Sequence, residues 1–363
     1  MKKTRTISWL FLAVFSLISL RAHSQQAVVD FMRGGISDAE KLAHAYMKPL
    51  GYGLGATLNA GWFNTARVHN TLGFNVTFTF NTALIPSEDR MFDLRQIAFD
   101  NLQLRDPSVF MAPTIAGRES ARPVLHYSES FPPVPTPVTI LEFASPDGFR
   151  VPAVPIPMVR AGIGLPGGFE LFGRFVPQLN YRGRQGSLWG VGVKYDLKSL
   201  IPVARRVPFW NLSLLGAYSD LNASMDLDLQ RNIYPTTVSG IPVTGGRPSY
   251  DNQEFEMNSS GYTINLIASI DIPFFTAFTS LGYASSNTTF GLVGDYPVLN
   301  VDPVLRTANI VDLSNPMTLE YRNSGEFQFT VGAGFKLAVL HFHASYTLAR
   351  YPVATAGVGI SFR

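Results

Sequence analysis

The final stretch of the chain, from Leu340 onward, limits the fold more than any other feature. Leu340, Phe342, Ala344, Tyr346 and Leu348 alternate with His341, His343, Ser345 and Thr347. Val358, Ile360 and Phe362 then alternate with small residues. Successive side chains of an extended strand point to opposite faces, so one face here is oily and the other polar. Such a strand suits a wall with hydrocarbon on one side and a polar interior on the other. The expected fold is therefore all-β, a transmembrane antiparallel β-barrel.

The same alternation recurs at 53–62, 71–81, 157–165, 169–180, 187–196, 209–219, 261–272, 276–289 and 325–337. A strand of roughly 11 residues, at about 3.3 Å each and tilted about 40°, rises about 28 Å and crosses the apolar band. A soluble sandwich also alternates, but its outer faces carry more charge than the Gly, Ser, Thr and Asn positions here. Tight joints at Leu337–Val339, Ile272–Phe275 and Pro166–Gly168 mark the periplasmic end, and long stretches at 220–261 and 291–325 mark the outer end. Both termini are then expected on the periplasmic side. The region 83–155 must hold an odd number of crossings, with candidates at 92–104, 121–128 and 138–144. Fourteen strands are favoured and 12 remain possible. Trp62 and Trp189 are expected near outer strand ends and Trp210 near an inner one. The joint 197–207 is amphipathic, and is read as a short helix on the headgroup layer or as a partner-docking element.

Residues 1–24 read as a signal peptide. Lys2, Lys3 and Arg5 precede an apolar run from Ile7 to Leu20, and Ala22-His23-Ser24 resembles a cleavage site. The run is shorter than the roughly 20 residues of a spanning helix. The formal charge is +3, but the leader holds four basic residues and no acid. The remainder is slightly acidic, which gives no support to nucleic-acid binding. The chain has no cysteine, so it needs no disulfides and cannot be a lipoprotein. Its hydrophobic content is 46% and its charged content 15%. With no helical span after the leader, a closed barrel is the structure that satisfies every backbone group in a bilayer. Residues 25–50 are expected to form a helical plug, and 51–363 the barrel. Ser37 and Glu40 form a capping-box pattern. A helix carrying Leu42 and Tyr46 follows and should stop before Pro49 and Gly51.

Two stretches carry a family resemblance. Asp38 to Gly51 followed by Gly55 to Trp62, and Gly190 to Pro202, resemble uncharacterised outer-membrane barrels distantly similar to long-chain fatty-acid transporters. That resemblance implies 14 strands, an N-terminal plug, and inward passage of hydrophobic molecules. It also implies that strand kinks such as those expected at Gly173 and Pro177 serve lateral exit. No fatty-acid pocket is carried over.

Chemistry-bearing candidates are few. His343 and Ser345 stand two apart on a strand, as in a lipase, but on the polar face and without a third member. Catalysis is not expected. His341 and His343 share a face, yet two ligands make no metal site. Asp220, Asn222, Asp226 and Asp228 lack an EF-hand spacing. No cofactor is expected. The lumen-facing charges are Arg160, Glu170, Arg174, Lys194, Asp196, Asp271, Glu326 and Lys336. They fit an internal ion-pair network that holds the plug, or a polar lining that selects a solute; their mixed signs argue against an ion-selective ring. The expected partners are outer-membrane lipid, with a hydrophobic small molecule or an envelope protein. Passive transport is the first expectation, with the outer loops (Ile233, Tyr234, Ile241, Val243, Tyr296, Val298, Leu299) as capture surface. A partner-binding barrel without transport is the alternative.

Overall fold

The computed structural model describes residues 35–362, apart from 119–121, 130–137, 151, 182, 203–206, 231–236, 239–240, 248, 303–304 and 306. The expected leader lies outside the described residues.

Ten antiparallel strands close into a barrel. They are β1 (Phe74–Leu84), β2 (Ala153–Leu165), β3 (Phe169–Tyr181), β4 (Arg184–Asp196), β5 (Trp210–Gln230), β6 (Ser249–Asp271), β7 (Phe275–Val293), β8 (Met317–Leu337), β9 (Leu340–Leu348) and β10 (Val353–Phe362). Closure pairs β1 with both β10 and β2, with Phe74 opposite Phe362. The period-two pattern explains the wall. Along β1, Asn75, Thr77, Thr79 and Asn81 are buried while Phe74 and Val76 face outward. Around the outside Phe169, Val191, Leu266, Phe335, Phe342 and Ile360 are each 38–60% exposed. A continuous apolar girdle of this kind is what hydrocarbon covers and what water penalises.

The barrel has ten strands, not 14 or 12. The segment 53–62, expected as the first strand, is helical to Asn59, and the candidates in 83–155 lie outside the wall. They form two small sheets, 91–93 with 111–113, and 102–104 with 124–129 and 138–144. With β1 as the first crossing, residues 85–152 leave and return at one end, so no odd crossing is needed. Short joints 166–168, 272–274 and 338–339 lie at the other end. Ala338 takes φ 54° in the two-residue β8–β9 turn. The barrel thus has a loop end and a turn end.

Strand lengths divide the wall. β5 to β8 have 21, 23, 19 and 21 residues, while β9 and β10 have 9 and 10. A crossing takes roughly 9–11 residues, so the long strands stand roughly ten residues beyond it. A further sheet, Asp295–Asp302 with Thr307–Ser314, Ile241–Gly245 and Thr237–Val238, lies past them. Tyr296 and Val298, expected in a capture surface, are buried there. Ile233 and Tyr234 lie outside the described residues. Between β4 and β5 the described residues hold a short 3-10 turn, Lys198–Leu200; part of the joint expected to be helical, 203–206, lies outside the described residues.

Helix α1 (Ile36–Asn59) enters from the loop end and passes through Pro49. Gly35 is its N-cap, with no side-chain cap. Ser37 instead donates to Asp100 Oδ2 at 2.6 Å, and Glu40 is exposed, so the capping box does not form. Asp38 does the anchoring. Its buried carboxylate accepts from the backbone N–H of Asp100, Asn101 and Leu102 at 2.6, 2.8 and 2.9 Å. The helix outlasts its expected stop because packing overrides the propensities of Pro49 and the glycines. A Cβ on Gly51 would stand 2.4 Å from the Tyr321 ring, and one on Gly55 2.1 Å from Ser286 Oγ. Those glycines let the helix lie against β8 and β7. α1 thus starts at the loop end, opposite to the end at which β10 finishes with Phe362.

Candidate functional site: the filled lumen

After α1 the chain runs without regular structure from Ala60 to Gly73, through the turn-end half of the barrel, to β1. A buried extended segment presents carbonyls that no helix or ladder satisfies. The wall supplies the donors. Arg174 on β3 donates Nη1 to Leu58 O at 2.9 Å and Nη2 to Ala60 O. Arg160 on β2 donates to Trp62 O. Lys194 on β4 donates to Arg67 O at 3.0 Å. All three cations are at most 2% exposed. Trp62, expected in an outer girdle, lies buried inside with the Arg174 guanidinium 3.6 Å over its ring. Such stacking suits a weakly hydrated planar cation.

Glu170 on β3 centres the charges. Lys194 Nζ lies 2.8 Å from its Oε2, His69 Nδ1 lies 2.7 Å from its Oε1, and Asn75 donates at 3.0 Å. His69 Nε2 stands 2.9 Å from Ser361 Oγ. Asp271 at the foot of β6 accepts from Thr65 at 2.8 Å, Ser269 at 2.6 Å, Asn211 at 2.8 Å and Thr276 at 2.8 Å. Arg160, Glu170, Arg174, Lys194 and Asp271 thus converge on one internal segment. Asp196 stands apart, accepting from Lys198 N at 2.9 Å, and Glu326 is half-buried beside a bulge between β7 and β8. Lys336, His341 and His343 line a cavity at the turn end. Leu42 and Tyr46 are buried on α1, where Tyr46 donates to Asp147 O at 2.8 Å.

Thr65, His69, Asn75 and Ser269 were not foreseen. Their role depends on a backbone threaded between them, which no spacing announces. Asp220, Asn222 and Asp226 lie along β5. Among the described residues no three His, Asp or Glu are grouped to hold a metal.

At the loop end, Lys48 on α1 meets Asp89 at 2.7 Å, and Tyr351 donates to the same carboxylate. Burial pushes the Asp89 carboxyl up, but the Lys48 ammonium and Tyr351 hydroxyl outweigh it and hold it below the usual carboxylate range.

The wall also has a seam. The β2–β3 ladder runs from Leu165–Phe169 to Val159–Phe175 and stops; residues 153–158 and 176–181 pair with β1 and β4 but not with each other. Ile85 N donates to Pro152 O on the β1 side. By the strand alternation Pro155 and Pro157 therefore turn their nitrogens toward β3. Pro177, two beyond Phe175, stands where β3 bulges between Val176 and Leu179. Three residues without an N–H thus stand on the two facing strands, at an edge or a bulge, where proline is tolerated. Behind the seam Ile156 and Met158 belong to the apolar cluster of Leu54, Leu58 and Leu188.

The family model "Family of unknown function (DUF6588)" matches residues 1–362. The chain belongs to this family. No curated protein sequence matches it. Solved structures with a similar barrel include the translocator domain of autotransporter NalP from Neisseria meningitidis, at 9% identity over 81% of this chain and 90% of that one, TM-score 0.29. Outer membrane protease OmpT from Escherichia coli follows at 8% identity over 80% and 97%, TM-score 0.31. The CymD monoaromatic hydrocarbon channel stands at 8% identity over 81% and 88%, TM-score 0.26. Likeness at these scores adds nothing to the closed barrel that the strand pairing itself shows. The resemblance to long-chain fatty-acid transporters is carried no further than that.

Proposed function

We propose that the protein is an integral outer-membrane barrel that passes a hydrophobic or amphipathic small molecule sideways, through its wall, rather than along its axis. The axial route is occupied by α1 and residues 60–73, with their carbonyls held by buried cations. The unpaired edges of β2 and β3 carry the reading. Their seven-residue ladder, at about 3.3 Å per residue and a tilt of about 40°, rises about 18 Å, short of the roughly 25 Å apolar band. The seam therefore opens within the outer leaflet, and the side chains behind it are apolar. Replacing Pro155, Pro157 and Pro177 together by Val restores three N–H donors and lets the edges zip. Uptake of a pyrene-labelled fatty acid into proteoliposomes should fall at least about fivefold in that variant, a change in barrier near 1 kcal/mol. Equal uptake by variant and natural protein, or natural uptake no better than in protein-free liposomes, rules the route out.

A second reading rests on a different observation. The wall of β5 to β8 extends roughly ten residues past the bilayer and ends in a further sheet, which is more than a lateral pore needs. A barrel that presents this surface to an envelope partner, with no transport of its own, fits it. Loss of the seam phenotype together with a stoichiometric protein retained through mild-detergent purification favours this reading.

A further inference from the structure

β8 is far longer than the strand that follows it. Its ladder with β9 runs from Leu337–Leu340 to Phe329–Leu348 and stops, whereas its ladder with β7 continues to Met317. Residues 317–328 are thus paired on one side only, and no other described strand borders them. The step lies beyond the apolar band. At its lower limit Tyr283 and Phe327 meet edge to face with centroids 5.5 Å apart, as aromatic residues do at a bilayer boundary. Above them the outward residues Thr318, Glu320 and Arg322 are polar and exposed.

The direction of the free hydrogen-bonding groups follows from the register. Asn315 N donates to Gly294 O at 2.9 Å, in prolongation of the β7–β8 ladder. Residues of the same parity, Met317, Leu319 and Tyr321, therefore turn their N–H and C=O groups to β7. Thr318, Glu320 and Arg322 turn theirs to the step. His44 of α1 agrees: its Nε2 stands 3.2 Å from Glu320 O, and its ring stacks on Tyr321 with centroids 4.6 Å apart. Among the described residues no group accepts from the three N–H groups. Edges of this kind are normally blunted by proline, lysine or a covering element. Residues 317–328 contain neither proline nor lysine, and the bulge between Ala284 and Ser286 lies at the lower end.

A free row of donors and acceptors in water is a template for one more strand. A second copy does not suit it, because antiparallel pairing through the same edge would turn one barrel upside down in the bilayer. The side chains state what does. Glu320 and Arg322 stand two apart on the outward face, 2.8 Å from each other, and buried Leu319 and Tyr321 alternate with them. Cross-strand neighbours match by charge. An antiparallel strand is matched when it carries an acid opposite Arg322, a base opposite Glu320 and apolar residues between.

We infer that the upper edge of β8 is a docking site for an extended segment of another polypeptide, which adds antiparallel to residues 318–322 in prolongation of β9. The inference rests on the partner-binding reading, and gives it a place and a partner chemistry. The probe is the capped peptide Thr-Val-Glu-Val-Lys-Val-Thr, titrated by calorimetry into the full-length protein in detergent, with the His44 ¹⁵N shifts as local reporter. Saturable binding below about 1 mM is expected. N-methylation of the peptide's Glu and Lys, whose N–H groups face β8, should weaken it at least about tenfold. N-methylation of the central Val, whose N–H faces away, should leave it unchanged. Exchanging the peptide's Glu and Lys should weaken binding about fivefold, and the double variant Glu320→Lys/Arg322→Glu should reverse that preference. Both positions are exposed, so the barrel keeps its fold. No saturable binding, equal affinity of the two N-methylated peptides, or an unreversed charge preference overturns the inference. So does binding that appears only after residues 25–34 are removed, since the edge then belongs to the chain itself. A protein partner retained by the double variant as firmly as by the natural chain leaves the partner-binding reading standing and removes this edge from it.

Discussion

The two halves of the lumen hold the same chain in different ways. In the loop-end half the internal segment is helical, its backbone satisfies itself, and the wall around it is apolar and aromatic: Tyr321, Phe290 and Met317 join Tyr46 of the helix in one cluster. In the turn-end half the segment is extended, and the wall carries Arg160, Arg174, Lys194 and Glu170 in the same inward positions. The difference follows from the hydrogen-bond requirement of each backbone. A helix inside a barrel asks only for shape, whereas an extended strand without a ladder asks for donors. Charged lumen residues here serve the backbone of the plug, and need not imply a charged solute.

The sharpest way to break this contrast is at Glu170. Glu170→Gln leaves Lys194 buried without its anion, and breaking such a pair typically costs about 3–5 kcal/mol. The turn-end half should loosen first. Thermal unfolding in detergent should shift down markedly, and ion conductance in planar bilayers should rise above that of the natural protein. Unchanged stability would mean that the cation–carbonyl bonds alone hold the segment.

Gly51→Ala probes the other half. The added Cβ meets the Tyr321 ring, which is 1% exposed and cannot easily retreat. Overpacking of this kind costs up to about 3 kcal/mol. Hydrogen exchange should quicken along α1 and leave His69 and its neighbours protected. Faster exchange in both halves would show that the lumen behaves as one cooperative unit.

A smaller and more local effect is expected from Asp38→Ala. Three backbone N–H groups lose their shared acceptor, but Asp100 has an exposed side chain beside them, so water replaces part of the bonding and about 1–2 kcal/mol is lost. Proteolysis near residues 98–102 should accelerate while the barrel midpoint stays put. A shifted midpoint would tie the cap to the wall more tightly than these bonds imply.

These contrasts also explain what could be read from the residues alone. Alternation located all ten wall strands because one face of each meets a uniform medium. It failed at 53–62, where Leu54, Leu58 and the glycines at 51 and 55 repeat at helical spacing inside a lumen that buries every side. Alternation carries no meaning where both faces are covered, and that single misreading forced the odd crossing and the inflated strand number. The inward parity of Arg160, Arg174 and Lys194 was legible. Their acceptors were not, since the carbonyls of Leu58, Ala60, Trp62 and Arg67 belong to any residue type. The seam was legible only as prolines, since its meaning depends on register.

The smallest effect separates the halves by pH. Asp89 at the loop end has its carboxyl held below the usual range by Lys48 and Tyr351, against the opposing push of burial. A group depressed in the folded state contributes stability that is fully present above its unfolded value, near 3.9. The contribution fades as pH falls through the lower folded value, so the loop-end latch weakens only below about pH 4. Lys48 is 37% exposed, and solvent screens the pair, so the change is modest. Exchange of α1 amides near Lys48 should quicken on acidification below that point in the natural protein. In Asp89→Asn it should already be fast at neutral pH and show no such step. A step of equal size in the variant would assign the acid sensitivity to another carboxylate and remove the latch from the account of how the two halves differ.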